Sequence, residues 1–285
     1  MENVSRLGVV GCGLMGSGIA EVAARQGLDV RVAEATQDAA EAGRRRLTDS
    51  LDRGLRRGKL TEDQRDQALA RLSFTCHLGD LADRQFVIEA VAEQRDLKSS
   101  VMQTLDKEVV DPRAILATNT SSLPIVDLAA VTSRPEQVIG MHFFNPVPVQ
   151  PLVELIPALT TASETLERAT DFAARRLGKR TIQAPDRSGF VVNALLVPYL
   201  LAAVRMVETG TARPEDVDQG MELGCAHPMG PLRLLDLIGL DTAKAVAESL
   251  YEEFKEPLYA PPALLRRMVA AGRLGRKSGH GFYAY

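Results

Sequence analysis

Two residues in the middle of the chain have the types and surroundings needed to move a proton. His142 ends an apolar run in QVIGMHFFNPVP, and Glu154 is the only charge inside PLVELIP. An isolated carboxylate in an apolar run is costly to bury, so Glu154 requires a partner. His142, one strand earlier, is the natural one. A carboxylate on one imidazole nitrogen fixes the tautomer and stabilises the imidazolium, so the other nitrogen can act as general base on a substrate hydroxyl. The alternative is a structural histidine that caps a loop. Further polar groups follow other apolar runs: Glu93 and then Lys98 after FVIEAVAE, Asn119 to Ser122 after AILAT, and Asn145 after His142. In an open parallel sheet such strand ends form the ligand edge, and Glu154 is expected at that same edge. Ser121 lacks a G-x-S-x-G setting, which argues against a serine nucleophile.

A second constellation is built for phosphates. GCGLMGSG places Gly11, Gly13 and Gly16 in G-x-G-x-x-G spacing, with Leu14 and Met15 between them, directly after the run RLGVV. Gly11 suits a tight turn, Gly13 lets backbone approach a pyrophosphate, and Gly16 lets a helix pack on the strand. The helix start then offers amide donors and partial positive charge. Glu34 ends the next strand, DVRVAE, where an acid accepts ribose hydroxyls and repels a 2′-phosphate. That favours NAD, while Arg31 and nearby arginines leave NADP open. A flavin shares this fingerprint, but no second flavin-type motif is present.

These groups need elements to hold them. RLGVV, DVRVAE, SFTC, FVIEAV, AILAT and QVIGMHFF read as strands alternating with helical patterns such as 17–25 and 97–109, and PLVELIP and RTIQA as two further strands. That alternation predicts a Rossmann-type, mostly parallel α/β domain over 1–184. Beyond PDRS, helices are expected at 189–208, 214–223, 231–253 and 261–271, with Ser188 as N-cap of the first. An all-helical domain over 185–285 follows. Such a two-domain split is ordinary for 285 residues.

The bulk numbers exclude several classes. A net charge of −3 argues against a nucleic-acid partner. Cys12, Cys76 and Cys225 form no metal-ligand cluster and suit a reducing cytoplasm. The N-terminus lacks a basic region followed by an apolar stretch, so no secretory signal is expected. The apolar stretch 189–207 contains Asn193, Pro198 and Arg205 and reads as a buried helix, not a membrane span. RRRLTDSLDRGLRRGK at 44–59 (seven Arg and Lys) is either a solvated helix face or a clamp for a phosphate-rich ligand.

Taken together, GxGxMGxGIA at 11–20, ATNTSSLPI at 117–125, HFFNPVPVQPLVEL at 142–155, GFVVNALLVPYL at 189–200, HPMGPLRLLDLIGLD at 227–241 and GRKSGHGFYAY at 275–285 resemble the L-3-hydroxyacyl-CoA dehydrogenase family, in particular its bacterial short-chain members. The resemblance covers essentially the whole chain. It implies an NAD-dependent oxidoreductase in which His142 is the catalytic base, Glu154 its partner, Ser121 the donor to the substrate 3-oxygen and Asn193 a group holding the acyl moiety. Glu93, Lys98, Asn145 and Lys277 match positions lining the cofactor. Ser50 and Arg57 align with a serine and a lysine that contact coenzyme A, and many members carry Asp in place of Glu34. The implied partner is an acyl-CoA thioester, the implied setting cytoplasmic fatty-acid or butanoate metabolism. A homodimer through the apolar C-terminal helices is also implied. The alternatives are a related dehydrogenase acting on a sugar acid or a carrier-protein thioester, and an NAD-binding relative without turnover.

Overall fold

The computed structural model describes residues 4–285; residues 1–3, the start of the stretch read for a secretory signal, lie outside them. The chain divides into two compact units, one ending at Asp186 and one from Arg187 to Tyr285.

The first unit is built on β1 (Arg6–Val10), β2 (Asp29–Ala33), β3 (Leu72–Thr75), β4 (Phe86–Glu89), β5 (Ile115–Thr118), β6 (Val138–Phe143), β7 (Leu152–Pro157) and β8 (Arg180–Gln183). They form one sheet in the order β3-β2-β1-β4-β5-β6-β7-β8. Neighbours run parallel except β6 and β7. The strands are near-continuous apolar runs because helices cover both faces, as a parallel sheet requires. The helices are α1 (Leu14–Arg25), α2 (Gln37–Arg56), α3 (Glu62–Ala70), α4 (Arg95–Glu108), α5 (Ile125–Ala129) and α6 (Ser163–Asp171), the last continuing into a π-helical turn at Phe172–Arg176. Local sequence starts several of them. Thr36 accepts the Ala39 amide to cap α2, and Thr61 and Gln64 form a reciprocal capping box on α3; losing either cap costs about 1 kcal/mol. A core including Leu7, Val9, Ile19, Val30, Phe86, Ile88, Met141 and Phe172 joins sheet to helices. The strand order reverses direction between β1 and β4, which opens a crevice at their carboxyl ends, just where the glycine-rich turn follows β1.

The second unit packs α7 (Val192–Glu208), α8 (Pro214–Gly224), α9 (Pro231–Ile238), α10 (Leu240–Phe254) and α11 (Ala263–Ala270) around Leu200, Leu201, Leu232, Leu235, Leu250 and Leu265. Three expectations need correction here. Helix α7 begins at Val192, not at Gly189, because Gly189 and Phe190 both adopt positive φ (77° and 49°). Ser188 is therefore no N-cap: its amide donates to Glu253 and its hydroxyl meets Ser249. The single helix expected over 231–253 is two, broken at Gly239, whose φ of 102° suits glycine alone. The C-terminal segment adds two isolated antiparallel bridges, Gly275 with His280 and His280 with Ala284, which helical patterning did not signal. Among the described residues, no helix is long and apolar enough to cross a membrane.

Candidate active site

The glycine turn has the geometry its spacing demands. Gly11 has φ 88°, and a Cβ there would sit 2.8 Å from the Ala90 carbonyl oxygen. A Cβ at Gly16 would fall 1.8 Å from the Gly11 carbonyl oxygen, so α1 comes this close to β1 only with glycine. Gly13 is different: nothing lies within 4 Å of where its Cβ would be. It is the N-cap of α1 and provides no side-chain cap, so no capping side chain takes up the first-turn amides, those of Leu14 and Met15 among them. These features fit a bound pyrophosphate, which takes up such donors at a helix N-terminus. Glu34 lies just past β2 and accepts a hydrogen bond from the Cys12 amide, with the Ala35 amide 3.3 Å from its other oxygen.

The arginines that left NADP open are otherwise engaged. Arg31 donates to the Asp80 carbonyl and pairs with Asp83 at 3.6 Å, Arg44 stacks on Phe74, and Arg46 donates to the Cys12 carbonyl at 2.6 Å. Helix α2 comes this near because Gly43 faces Cys12, where a Cβ would meet the thiol sulfur at 2.7 Å. Burial, reinforced by Glu34, pushes the Cys12 thiol up to about 12, so it is a packing group here, not a nucleophile.

His142 and Glu154 meet directly. The antiparallel register of β6 and β7 sets the two residues opposite each other, and Nδ1 lies 2.7 Å from Oε2. Glu154 is fully buried and His142 nearly so, with the Phe144 ring edge-on to the imidazole at 4.7 Å. Glu154 thus lies at the same edge as His142, as expected, but near the start of its strand and not at its carboxyl end, which is the part of the expectation that is corrected. Its strand runs the other way, and cross-strand pairing brings the two together. With the carboxylate accepting from Nδ1, the neutral imidazole presents Nε2 as its accepting nitrogen.

The ends of β4 and β5 carry a second polar cluster. Glu93 Oε1 accepts from the Ser121 and Ser122 amides at 2.9 and 3.1 Å and from the hydroxyls of Thr120, Ser121 and Ser122. Its Oε2 lies 3.3 Å from the Lys98 ammonium. Burial pushes the Glu93 carboxyl upward, but Lys98 and the donors of this turn outweigh it and hold the group below the usual range. Lys98 is fully buried and is also held by Glu89 at 2.8 Å. Asn119 Oδ1 accepts the Phe143 amide at 3.0 Å, which ties the end of β5 to the strand of His142. Asn145 is exposed just beyond β6, in a loop held by the buried Lys179, whose ammonium donates to the Val147 and Gln150 carbonyls.

The remaining expected residues belong to other elements. Ser50 is on α2 and Arg57 is its C-cap; with Arg46 and Arg53 they follow the i, i+4, i+7, i+11 spacing of one helix face. Asn193 is in the first turn of α7, and Lys277 pairs with Asp241 at 2.6 Å, both within the second unit. Among the described residues, no group of three His, Cys, Asp or Glu could hold a metal ion. Glu89 escaped the sequence reading, although it carried the signal that exposed Glu154: one acid inside an apolar strand, FVIEAV.

The chain is similar to known proteins along its whole length. Residues 6–187 match the family model described as 3-hydroxyacyl-CoA dehydrogenase, NAD binding domain, and residues 189–285 match the C-terminal domain of the same family. The chain is similar to a 3-hydroxybutyryl-CoA dehydrogenase of Mycobacterium tuberculosis, 57% identical over 100% of this chain and 99% of that protein. A probable 3-hydroxybutyryl-CoA dehydrogenase of Deinococcus radiodurans is 46% identical over 98% and 100% of the two chains. The crystal structure of (S)-3-hydroxybutyryl-CoA dehydrogenase from Ralstonia eutropha superposes with a TM-score of 0.94 at 46% identity, covering 99% of each chain.

Proposed function

The chain belongs to the 3-hydroxyacyl-CoA dehydrogenase family, oxidoreductases with an NAD-binding domain, and from that premise we propose that it interconverts (S)-3-hydroxyacyl-CoA and 3-oxoacyl-CoA, with 3-hydroxybutyryl-CoA as the preferred substrate. The observation that carries the reading is the buried His142–Glu154 pair at 2.7 Å. In the oxidative direction His142 takes the 3-hydroxyl proton, and Glu154 stabilises the imidazolium that results. Ser121 and Asn193 hold the oxygen and the acyl group in place, so that C3 is oriented when its hydride leaves. NAD, when bound, supplies the hydride acceptor. The glycine turn, Glu34, Glu93, Lys98, Asn145 and Lys277 are assigned to binding it.

The stripe of Ser50, Arg53 and Arg57 on α2 supports coenzyme A over a free sugar acid, which has no distant phosphates for guanidinium groups to meet. Residues 185–285 are assigned substrate binding and homodimer formation. The exposed Leu195, Met206 and Leu223 on α7 and α8 support a partner surface there, which sedimentation would reveal. Cytoplasmic fatty-acid or butanoate metabolism is the setting that this substrate class suggests.

NADH oxidation by the purified protein tests the reading, with acetoacetyl-CoA, acetoacetyl-pantetheine, a carrier-protein thioester and a 3-oxo sugar acid compared side by side. The highest kcat/KM is expected with the coenzyme A thioester. Equal rates with pantetheine would remove the role given to α2, and NADH binding without turnover of any thioester would leave only a cofactor binder.

A further inference from the structure

Glu89 has no part in the reaction as assigned, yet three different groups beside the site hold its carboxylate. It is fully buried at the end of β4. Its Oε1 accepts the Val91 amide at 2.7 Å and the Lys98 ammonium at 2.8 Å, and its Oε2 accepts the Thr118 hydroxyl at 2.6 Å. One side chain therefore fastens the end of β4, the end of β5 and the first turns of α4. Stability alone does not explain it, because well-packed apolar side chains of similar volume usually do as well as a buried ion pair. The distinctive feature is what Lys98 does next. The same ammonium that Glu89 holds lies 3.3 Å from Oε2 of Glu93, whose Oε1 gathers the amides of Ser121 and Ser122.

We propose that Glu89 is a positioning residue. Through Lys98 it fixes the carboxylate of Glu93, and through Glu93 it sets the 120–122 turn that carries the Ser121 hydroxyl. The proposal rests on the assignment of Ser121 to the substrate oxygen for its kinetic consequence, but the linkage itself is independent of that assignment. A lysine suits the middle of the chain, because its compact ammonium has donors enough to serve two carboxylates and the Val91 carbonyl at once. Glu93 alone could not hold Lys98 in place, since it is at the surface of the cluster while Glu89 is sealed within it.

The double variant Glu89→Gln/Lys98→Met tests this, because it removes both buried charges together and leaves neither unpaired. Two readouts are taken: the titration of the Glu93 carboxyl carbon by NMR, identified with Glu93→Gln, and kcat with acetoacetyl-CoA across pH. The proposal expects Glu93 to titrate at higher pH than in the native protein, since the cation that favours its charged form is gone. It also expects kcat to fall roughly 10-fold as the Ser121 hydroxyl loses its place, with the acid limb of the profile moving upward. Unchanged Glu93 titration, or native kcat and pH profile, would overturn it. A lowered Tm alone would count as a purely structural role and against the proposal. Should the double variant not fold, Glu89→Gln alone decides: Lys98 loses the charge that holds it beside Glu93, which should titrate higher than in the native protein, and an unmoved titration rejects the linkage. A native protein inactive on every thioester would instead reject the proposed function, while the NMR titration still decides the linkage.

Discussion

Glu89 and Glu154 in the sheet unit and Asp218 and Asp236 in the helical unit are buried to the same degree, but their partners differ in kind. Glu154 faces an imidazole and Glu89 an ammonium, groups that carry or exchange a proton. Asp218 accepts the Leu232 and Arg233 amides and the Tyr283 hydroxyl, and Asp236 accepts the Phe282 and Tyr283 amides and the Tyr285 hydroxyl. The fit around these aspartates is close: a Cβ at Gly230 would lie 2.3 Å from Asp218, and one at Gly281 would lie 2.0 Å from Asp236. Burial by itself thus does not mark a reactive acid. A buried carboxylate satisfied by backbone amides is a fastener, here holding the C-terminal segment to α8 and α9. One held by an imidazole or an ammonium at 2.7–2.8 Å is a candidate for chemistry or for positioning.

The contrast can be broken most forcefully at His142. His142→Gln, which keeps a hydrogen-bond donor beside the buried Glu154, should lower kcat by about 10²- to 10⁴-fold, the usual contribution of a placed general base, with native thermal stability nearly kept; steady-state kinetics and a melting curve check both halves. In the helical unit the same kind of change should do the reverse. Asp236→Ala leaves two part-buried amides without their acceptor and frees the Tyr285 hydroxyl, and loss of an acceptor by a buried donor costs up to about 1–3 kcal/mol. The expected outcome is a large drop in the unfolding free energy from urea titration, and native-like stability would contradict the fastener assignment.

The smallest effect is a pH dependence. Burial first, and the hydrogen bond to Asp218 second, push the Tyr283 hydroxyl well above the ordinary tyrosine range. Its folded pKa is raised, so its contribution is complete below the unfolded value of about 10. Above that the unfolded chain gives up the proton first, and stability declines with rising pH. Tyr283→Phe should flatten part of that alkaline decline in urea titrations, and an identical decline in both proteins would remove Tyr283 from the account.

All eight strands could be read from the sequence, because apolar runs bounded by turn residues leave little else for those segments to be. The reversal of β7 was not read, although the signal was present: only eight residues, 144–151, separate it from β6, fewer than the dozen or so that a parallel crossover needs. The His142–Glu154 partnership was legible from the cost of an isolated buried acid; the register that achieves it was not. Glu89 was passed over because the acid nearest the strand end, Glu93, drew the reading. The late start of α7 had no sequence signal at all, since Phe190 is not a residue type that announces a positive φ. Long-range partners such as Asp236 with Phe282 and Tyr283 are likewise invisible to periodicity, which reports only neighbours along an element.

The central claim, that Glu154 serves the chemistry of His142 and not the binding of cofactor, is tested most directly by Glu154→Gln. Turnover of acetoacetyl-CoA and the Kd for NADH should be measured on the same preparation. The account predicts a strongly reduced kcat with Kd for NADH unchanged. A native kcat, or a loss of NADH affinity matching the loss of turnover, would contradict it.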